Sequence, residues 1–131
     1  MALPLRYPRL WLVGGWMLIG LAVLASLSPV QDLPHVSGSD KMHHFIAYFS
    51  MTLWFAGLYP RSQYIWIGIA MFALGGVIEA AQGAMDLGRQ ADFYDMIANM
   101  SGVIVALSVA FMGLGGWTQW LEKRLVSSDG P

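Results

Sequence analysis

The 131-residue chain has no cysteine and few charged side chains, and each shortage excludes a class of protein. Without cysteine there is no disulfide, no thiolate zinc site and no cysteine nucleophile. Only 11% of the residues are Asp, Glu, Lys or Arg, against about 25% in soluble domains, while 56% are hydrophobic. A soluble domain of this size would expose too much apolar surface to water, which indicates lipid as the solvent. The formal net charge of −1 offers no basic surface, so nucleic acid is not an expected partner.

Four long segments lack charged residues altogether, namely 10–31, 42–60, 62–78 and 96–121. A helix that crosses a bilayer needs about 17–25 mostly apolar residues, so each segment is long enough to span it. We therefore predict an all-α membrane protein, an antiparallel bundle of four transmembrane helices near 10–28, 41–59, 63–85 and 93–120. The connection 29–40 is rich in Pro, Ser and Gly and predicts a loop. The expected organisation is a single domain over 1–131 that ends in a short cytoplasmic tail at 121–131.

The first segment has an alternative interpretation as a signal peptide, because Arg6 and Arg9 precede an apolar run. The run is longer than the apolar core of a signal peptide, and residues 25–29 (ASLSP) lack a clean small-x-small cleavage site. We therefore expect this segment to be retained as a membrane-spanning helix.

The positive residues predict the orientation of the chain. With a cytoplasmic N-terminus, five of them lie inside: Arg6, Arg9, Arg61, Lys123 and Arg124. Lys41 and Arg89 then lie outside, in agreement with the positive-inside rule. This orientation predicts that both termini lie in the cytoplasm. The loops after the first and third helices face the periplasm or the cell exterior.

Polar residues inside or beside the predicted helices share one depth and regular spacings. They are Asp40, Lys41 and His44 on the second helix, Glu79 and Gln82 on the third, and Asp92, Asp95 and Asn99 on the fourth. Spacings of three, four and seven place the residues of each helix on one face. Small-residue ladders adjoin these faces on the third and fourth helices, so we expect the polar faces to point into the bundle. The sequence therefore predicts a polar cluster at the outer end.

These residues have structural interpretations as well as functional ones. Asp40 and Asp92 are well placed to stabilise helix N-termini, and Asp86 is typical of a solvated loop. The whole set is also compatible with a polar lock, in which Lys41 and Arg89 pair with carboxylates while the amides hydrogen-bond across helices. An ionisable group within a span, such as Glu79, indicates a functional site by default. The polar set contains four carboxylates but only two cations, Lys41 and Arg89. A protonated His44, a neutral carboxylic acid, a bound cation or a cationic ligand must therefore balance the excess negative charge.

Three segments resemble the VanZ-like family of small membrane proteins. DKMHHFIAYF at 40–49 resembles its D-K-x-x-H-F opening, GGVIEAAQ at 75–82 its I-E-x-x-Q element, and GRQADFYDMIANMSG at 88–102 its G-R-x-x-D-x-x-D-x-x-A-N-x-x-G element. The resemblance covers 40–131 in order and spacing, and the first 39 residues match only as a hydrophobic span. The corresponding family positions are Asp40, Lys41, His44, Glu79, Gln82, Arg89, Asp92, Asp95 and Asn99. The resemblance implies a cell-envelope protein of the bacterial plasma (inner) membrane. The founding member is associated with teicoplanin resistance, a role that does not transfer to this chain.

Two functions stay open. The first is a non-enzymatic envelope factor whose outward polar pocket binds a lipid-linked or cationic molecule or a partner membrane protein. The second is a small membrane enzyme acting on a lipid phosphate or lipid-linked sugar, with Glu79 or Asp95 as base, His44 as acid or base, and Lys41 and Arg89 holding phosphate. A metal on His44, Glu79 and Asp95 suits these ligand types, although no spacing requires one and the sequence requires no cofactor. We favour the binding function because the sequence shows no recognisable nucleophile or catalytic triad.

Overall fold

A computed structural model describes residues 2–29, 38–85 and 92–128, which form five α-helices and no β-strand. The helices are α1 (Pro8–Leu27), α2 (Asp40–Leu58), α3 (Tyr64–Ala84), α4 (Phe93–Val109) and α5 (Trp117–Ser128). A 3₁₀ turn at Arg61–Gln63 leads into α3, and a π-helical segment at Ala110–Leu114 extends α4. The predicted all-α class is confirmed for this part of the chain.

Helix α2 lies at the centre of the fold. It packs most extensively against α4 and also contacts α1, α3 and α5. Gly102 on α4 makes this packing close, since a Cβ atom there would lie only 2.4 Å from the Phe45 carbonyl oxygen. The core is built on the enclosed face of α2, where Met51 and Leu58 are almost fully buried. Small residues therefore let two helix backbones approach each other, as the small-residue ladder on the fourth helix predicts.

Three stretches of the described chain are long and apolar enough to cross a membrane: Pro8–Leu27, Arg61–Ala84 and Phe93–Leu114. The sequence predicted four such helices, and the predicted span without this composition is α2, whose first five residues include Asp40, Lys41, His43 and His44. Eight of the 19 residues of α2 are buried, against one of 20 in α1, so α2 presents less apolar surface outward. That α2 also crosses the membrane stays a prediction.

The fourth predicted helix, 93–120, ends earlier than expected. Gly113 has a φ of 143° and Gly116 a φ of 71°, in the region that glycine tolerates, and the helix stops at Leu114. The chain then turns and starts α5 at Trp117, so most of the predicted tail at 121–131 is helical through Ser128. The fourth candidate span is therefore shorter than predicted, and its predicted last residues belong to the separate helix α5.

Aromatic contacts hold α5 against the rest of the protein. They lie at the end of the molecule that is opposite the first turn of α2. The rings of Trp11, Trp54 and Trp117 lie 5.4–5.7 Å apart, centroid to centroid. The Trp117 indole N–H donates to the Leu53 carbonyl oxygen at 2.9 Å, which ties α5 to the last turns of α2. We call this the aromatic end and the end with the first turn of α2 the polar end. At 1.5 Å per residue, the 19 residues of α2 separate the two ends by roughly 28 Å.

Candidate functional site

Seven of the predicted site residues come together at the polar end, where α2 and α4 begin and the last turns of α3 pass. They are Asp40, Lys41, His44, Glu79, Asp92, Asp95 and Asn99, and we call them the polar cluster. Arg89 and Asp86 lie outside the described residues. Gln82 is almost fully buried, but it points to another neighbour and donates to the Ser26 carbonyl oxygen of α1 at 2.7 Å.

The helix starts place the first members of the polar cluster. Ser39 caps α2, because its hydroxyl accepts the Met42 backbone N–H at 3.2 Å, and this leaves Asp40 in the first turn. Asp92 caps α4 by accepting the Tyr94 N–H at 2.9 Å. The predicted capping role of Asp92 is thus confirmed, and its second carboxylate oxygen is left for another partner.

Lys41 joins α2 to α4 through two carboxylates. Its Nζ lies 2.6 Å from Asp92 Oδ2 and also donates to Asp95 Oδ1. The Lys41 ammonium, followed by the Tyr94 backbone N–H, holds the pKa of Asp92 below its ordinary value. Asp92 and Lys41 are both partly exposed, whereas Asp95 is buried. Lys41 therefore pairs with two carboxylates, of which Asp92 lies at the surface and Asp95 is buried.

His44 lies at the buried centre of the polar cluster. Its Nδ1 is 2.9 Å from Asn99 Oδ1, and because this amide oxygen only accepts, the contact assigns the ring proton to Nδ1. The other ring nitrogen, Nε2, is 3.6 Å from Asp40 Oδ2 and 3.6 Å from Asp95 Oδ2. Nε2 thus points between two carboxylate oxygens at a separation just beyond hydrogen bonding.

Glu79 is buried and only half satisfied. Its Oε2 accepts the Asp92 backbone N–H at 3.0 Å, whereas Oε1 has no hydrogen-bond partner among the described residues. The side chain is 7% exposed, which excludes an orientation toward lipid. An unpaired buried carboxylate oxygen is costly, so this atom is the clearest sign of a ligand-binding role at the polar end.

Two further polar residues extend the site inward, and the sequence reasoning missed both. The hydroxyls of Tyr48 and Thr52 are buried without a hydrogen-bond partner among the described residues. Asp40, His44, Tyr48 and Thr52 follow one another at intervals of four, which places them on one face of α2. This interval of four was the sequence pattern that could have identified Tyr48 and Thr52 as part of the site. A Cβ atom on Gly75 of α3 would lie 3.4 Å from the Tyr48 hydroxyl, so α3 approaches α2 just below the polar cluster.

The contacts of Lys41, Gln82 and Asn99 are those of the predicted polar lock, because each joins two helices. The lock does not account for the unpaired oxygens of Glu79 and Tyr48. The predicted metal set of His44, Glu79 and Asp95 is also corrected. The ligand atoms that lie within 4.8 Å of one another belong to Asp40, His44 and Asp95, while Glu79 faces the start of α4.

Comparisons with family models, curated proteins and solved structures found no match to this chain. The VanZ-like resemblance therefore rests on the three segments at 40–49, 75–82 and 88–102 and stays a prediction.

Proposed function

We propose that the chain is a VanZ-like integral membrane protein of the bacterial cell envelope. In this proposal α1–α4 form an antiparallel four-helix transmembrane bundle with both termini in the cytoplasm, and the polar end faces the periplasm or the cell exterior. The polar cluster binds a lipid-linked or cationic envelope ligand or a partner membrane protein. The link to teicoplanin-type resistance comes from family resemblance alone and is no part of the proposed activity.

The observation that carries the proposal is the unpaired Oε1 of Glu79, buried beside a group with an excess of negative charge. The described residues of the polar cluster hold four carboxylates and one ammonium, that of Lys41, which pairs with Asp92 and Asp95. A stabilising lock needs neither a surplus of charge nor an unsatisfied buried oxygen, since both are unfavourable at membrane depth. A ligand with a positive or hydrogen-donating group would neutralise the surplus charge and pair with the unsatisfied oxygen.

An apolar groove between α3 and α4 favours a lipid-linked ligand over a soluble one. The groove has a volume of about 480 Å³, and its lining includes Phe72, Met100 and Leu107. It extends from the residue after Asn99 toward the aromatic end, so its direction follows the helices. An acyl or isoprenoid chain in this groove would leave its polar head near the level of the polar cluster.

A second candidate function is a membrane enzyme acting on a lipid phosphate or lipid-linked sugar. The observation in its favour is His44, whose Nε2 faces two carboxylate oxygens while Asn99 holds Nδ1. In that case His44 is the acid or base, with Asp95 and Lys41 beside it. The binding function ranks first because the described residues hold no nucleophile aligned with a base.

Glu79→Gln tests the binding function. The amide keeps the shape and the acceptor for the Asp92 N–H but removes the charge, so the fold should remain and the ligand should be lost. Native mass spectrometry of the detergent-purified protein should show a co-purifying intact lipid on the wild type, and a loss of most of that species on Glu79→Gln. Thermal unfolding should shift little.

Glu122→Gln is the matched control, since it makes the same exchange at a buried carboxylate of the aromatic end, which accepts the Arg6 backbone N–H, and it should leave lipid occupancy unchanged. A polar lock predicts the opposite pattern, in which Glu79→Gln lowers the unfolding temperature and leaves lipid occupancy unchanged. That result would contradict the binding function. Product formation from a phospholipid or a lipid-linked sugar by the wild type would favour the enzyme.

A further inference from the structure

We propose that Asp40, His44 and Asp95 form a binding site for one divalent transition-metal ion, Zn²⁺ or Mn²⁺. The ligand atoms are one oxygen from each carboxylate and Nε2 of His44. The site lies within the polar cluster but uses neither Glu79 nor the groove between α3 and α4, so it is tested without the lipid ligand proposed above.

The spacing of the three atoms matches a metal coordination sphere. His44 Nε2 lies 3.6 Å from one oxygen of Asp40 and 3.6 Å from one oxygen of Asp95, and all three ligand atoms lie within 4.8 Å of one another. Metal bonds of about 2.0–2.2 Å at tetrahedral angles separate ligand atoms by roughly 3.3–3.6 Å. The observed separations are too long for hydrogen bonds and fit ligands arranged around an ion.

The buried imidazole provides an observation independent of the carboxylates. His44 is 9% exposed, and its Nε2 makes no hydrogen bond with the described residues, although it points between two carboxylate oxygens. With Nδ1 held by Asn99, Nε2 and the two carboxylate oxygens converge within 4.8 Å of one another. A cation at the centre removes their mutual repulsion.

Both buried ligands already have the outer partners that metal ligands usually have. The Asn99 amide oxygen holds His44 Nδ1 and so fixes the ring orientation with Nε2 free to coordinate. Lys41 binds Asp95 Oδ1, which leaves Oδ2 directed at His44. Such second contacts orient a ligand and typically change metal affinity by about 10–100-fold when removed.

The ligand types and exposure select the ion. One imidazole with two carboxylates suits Zn²⁺ or Mn²⁺, whereas Ca²⁺ and Mg²⁺ prefer oxygen ligands alone. The Asp40 side chain is 62% exposed, so the ion enters from the aqueous side and keeps open positions for water or an anionic group. A divalent ion also offsets the excess of carboxylates over Lys41 in the polar cluster.

Binding of Mn²⁺ to the EDTA-treated, full-length protein in detergent tests the site. Free Mn²⁺ is measured by electron paramagnetic resonance, and Zn²⁺ is then added as a competitor. We expect one ion per chain, displaced by Zn²⁺ and not by an equal concentration of Mg²⁺. Asp40→Asn removes a direct ligand and should weaken binding by more than the roughly 10–100-fold typical of an outer partner; because Asp40 is exposed, the variant should keep its helical circular dichroism.

Lys123→Ala is the control. It changes the net charge by one at an exposed position of α5, at the aromatic end and outside the polar cluster. Its affinity should stay within a few-fold of the wild type, as expected for a screened charge. Equal losses in the two variants, or no stoichiometric Mn²⁺ or Zn²⁺ on the wild type, would overturn the proposal. Either result leaves the lipid test of Glu79→Gln unaffected.

Discussion

Gly102→Ala should destabilise the protein by at least about 3 kcal/mol, at the upper end of overpacking effects. The added Cβ would lie 2.4 Å from the Phe45 carbonyl oxygen and 3.0 Å from the Phe49 backbone nitrogen. Both neighbours are backbone atoms, so no side-chain rotation relieves the contact and α2 must move away from α4. Thermal unfolding in detergent, followed by circular dichroism, measures the loss.

The same separation should weaken the polar cluster, because Lys41 and His44 on α2 reach Asp95 and Asn99 on α4. Gly76→Ala is the matched control, since a Cβ atom at Gly76 meets nothing within 4 Å. Alanine is favoured over glycine inside a helix by about 1 kcal/mol, so this variant should be neutral or slightly more stable. Equal unfolding temperatures for Gly76→Ala and Gly102→Ala would show that α2 and α4 are not in backbone contact there.

Glu122→Ala should produce the second large loss, about 3 kcal/mol or more. The Glu122 carboxylate accepts the backbone N–H groups of Arg6 and Tyr7 at 2.6 and 3.0 Å and the Trp11 indole N–H at 2.8 Å. Removing it leaves three donors unsatisfied at the start of α1, each costing about 1–3 kcal/mol where water cannot replace the acceptor. It also removes a negative charge that complements the helix dipole of α1.

The control for this variant is Lys123→Ala, which removes an exposed charge from the next position of α5 and should change the unfolding temperature little. The pH dependence gives a second measurement. Burial acts to raise the pKa of Glu122, but the N–H donors of Arg6, Trp11 and Tyr7 lower it overall below the ordinary value of 4.5. The contact therefore contributes its full stability above pH 4.5 and loses it as the pH falls through the lowered pKa. An unchanged slope of stability against pH in Glu122→Ala would contradict this role.

Most of the polar cluster was predictable because the information is local. The spacing from Asp40 to His44, and from Asp92 to Asn99, fixes residues on one face of a helix whatever the helix packs against. Ionisable groups are also unfavourable toward lipid, so they were expected to face neighbouring helices. The all-α class followed from the same kind of reasoning, since the long uncharged segments match the helices of the structure closely apart from the end of the fourth.

The pairing of side chains was not predictable, because it depends on which helices become neighbours. Gln82 shares a face with Glu79 yet binds Ser26 on α1. Glu122, predicted to lie in a short cytoplasmic tail, caps a helix more than 100 residues away. The group of candidate metal ligands differs from the predicted one for the same reason, since Asp40 and not Glu79 faces His44.

The sequence by itself determined the helical class, the approximate helix bounds and the gathering of polar residues at one depth, because these follow from hydropathy and helical periodicity within single segments. Only the tertiary structure decided that α2 is enclosed, that Tyr48 and Glu79 are left with unpaired oxygens, and that α5 folds back at Gly116 onto the start of α1. These features arise from contacts between distant segments, whose geometry is set by close packing of whole helices and is not encoded in any one of them.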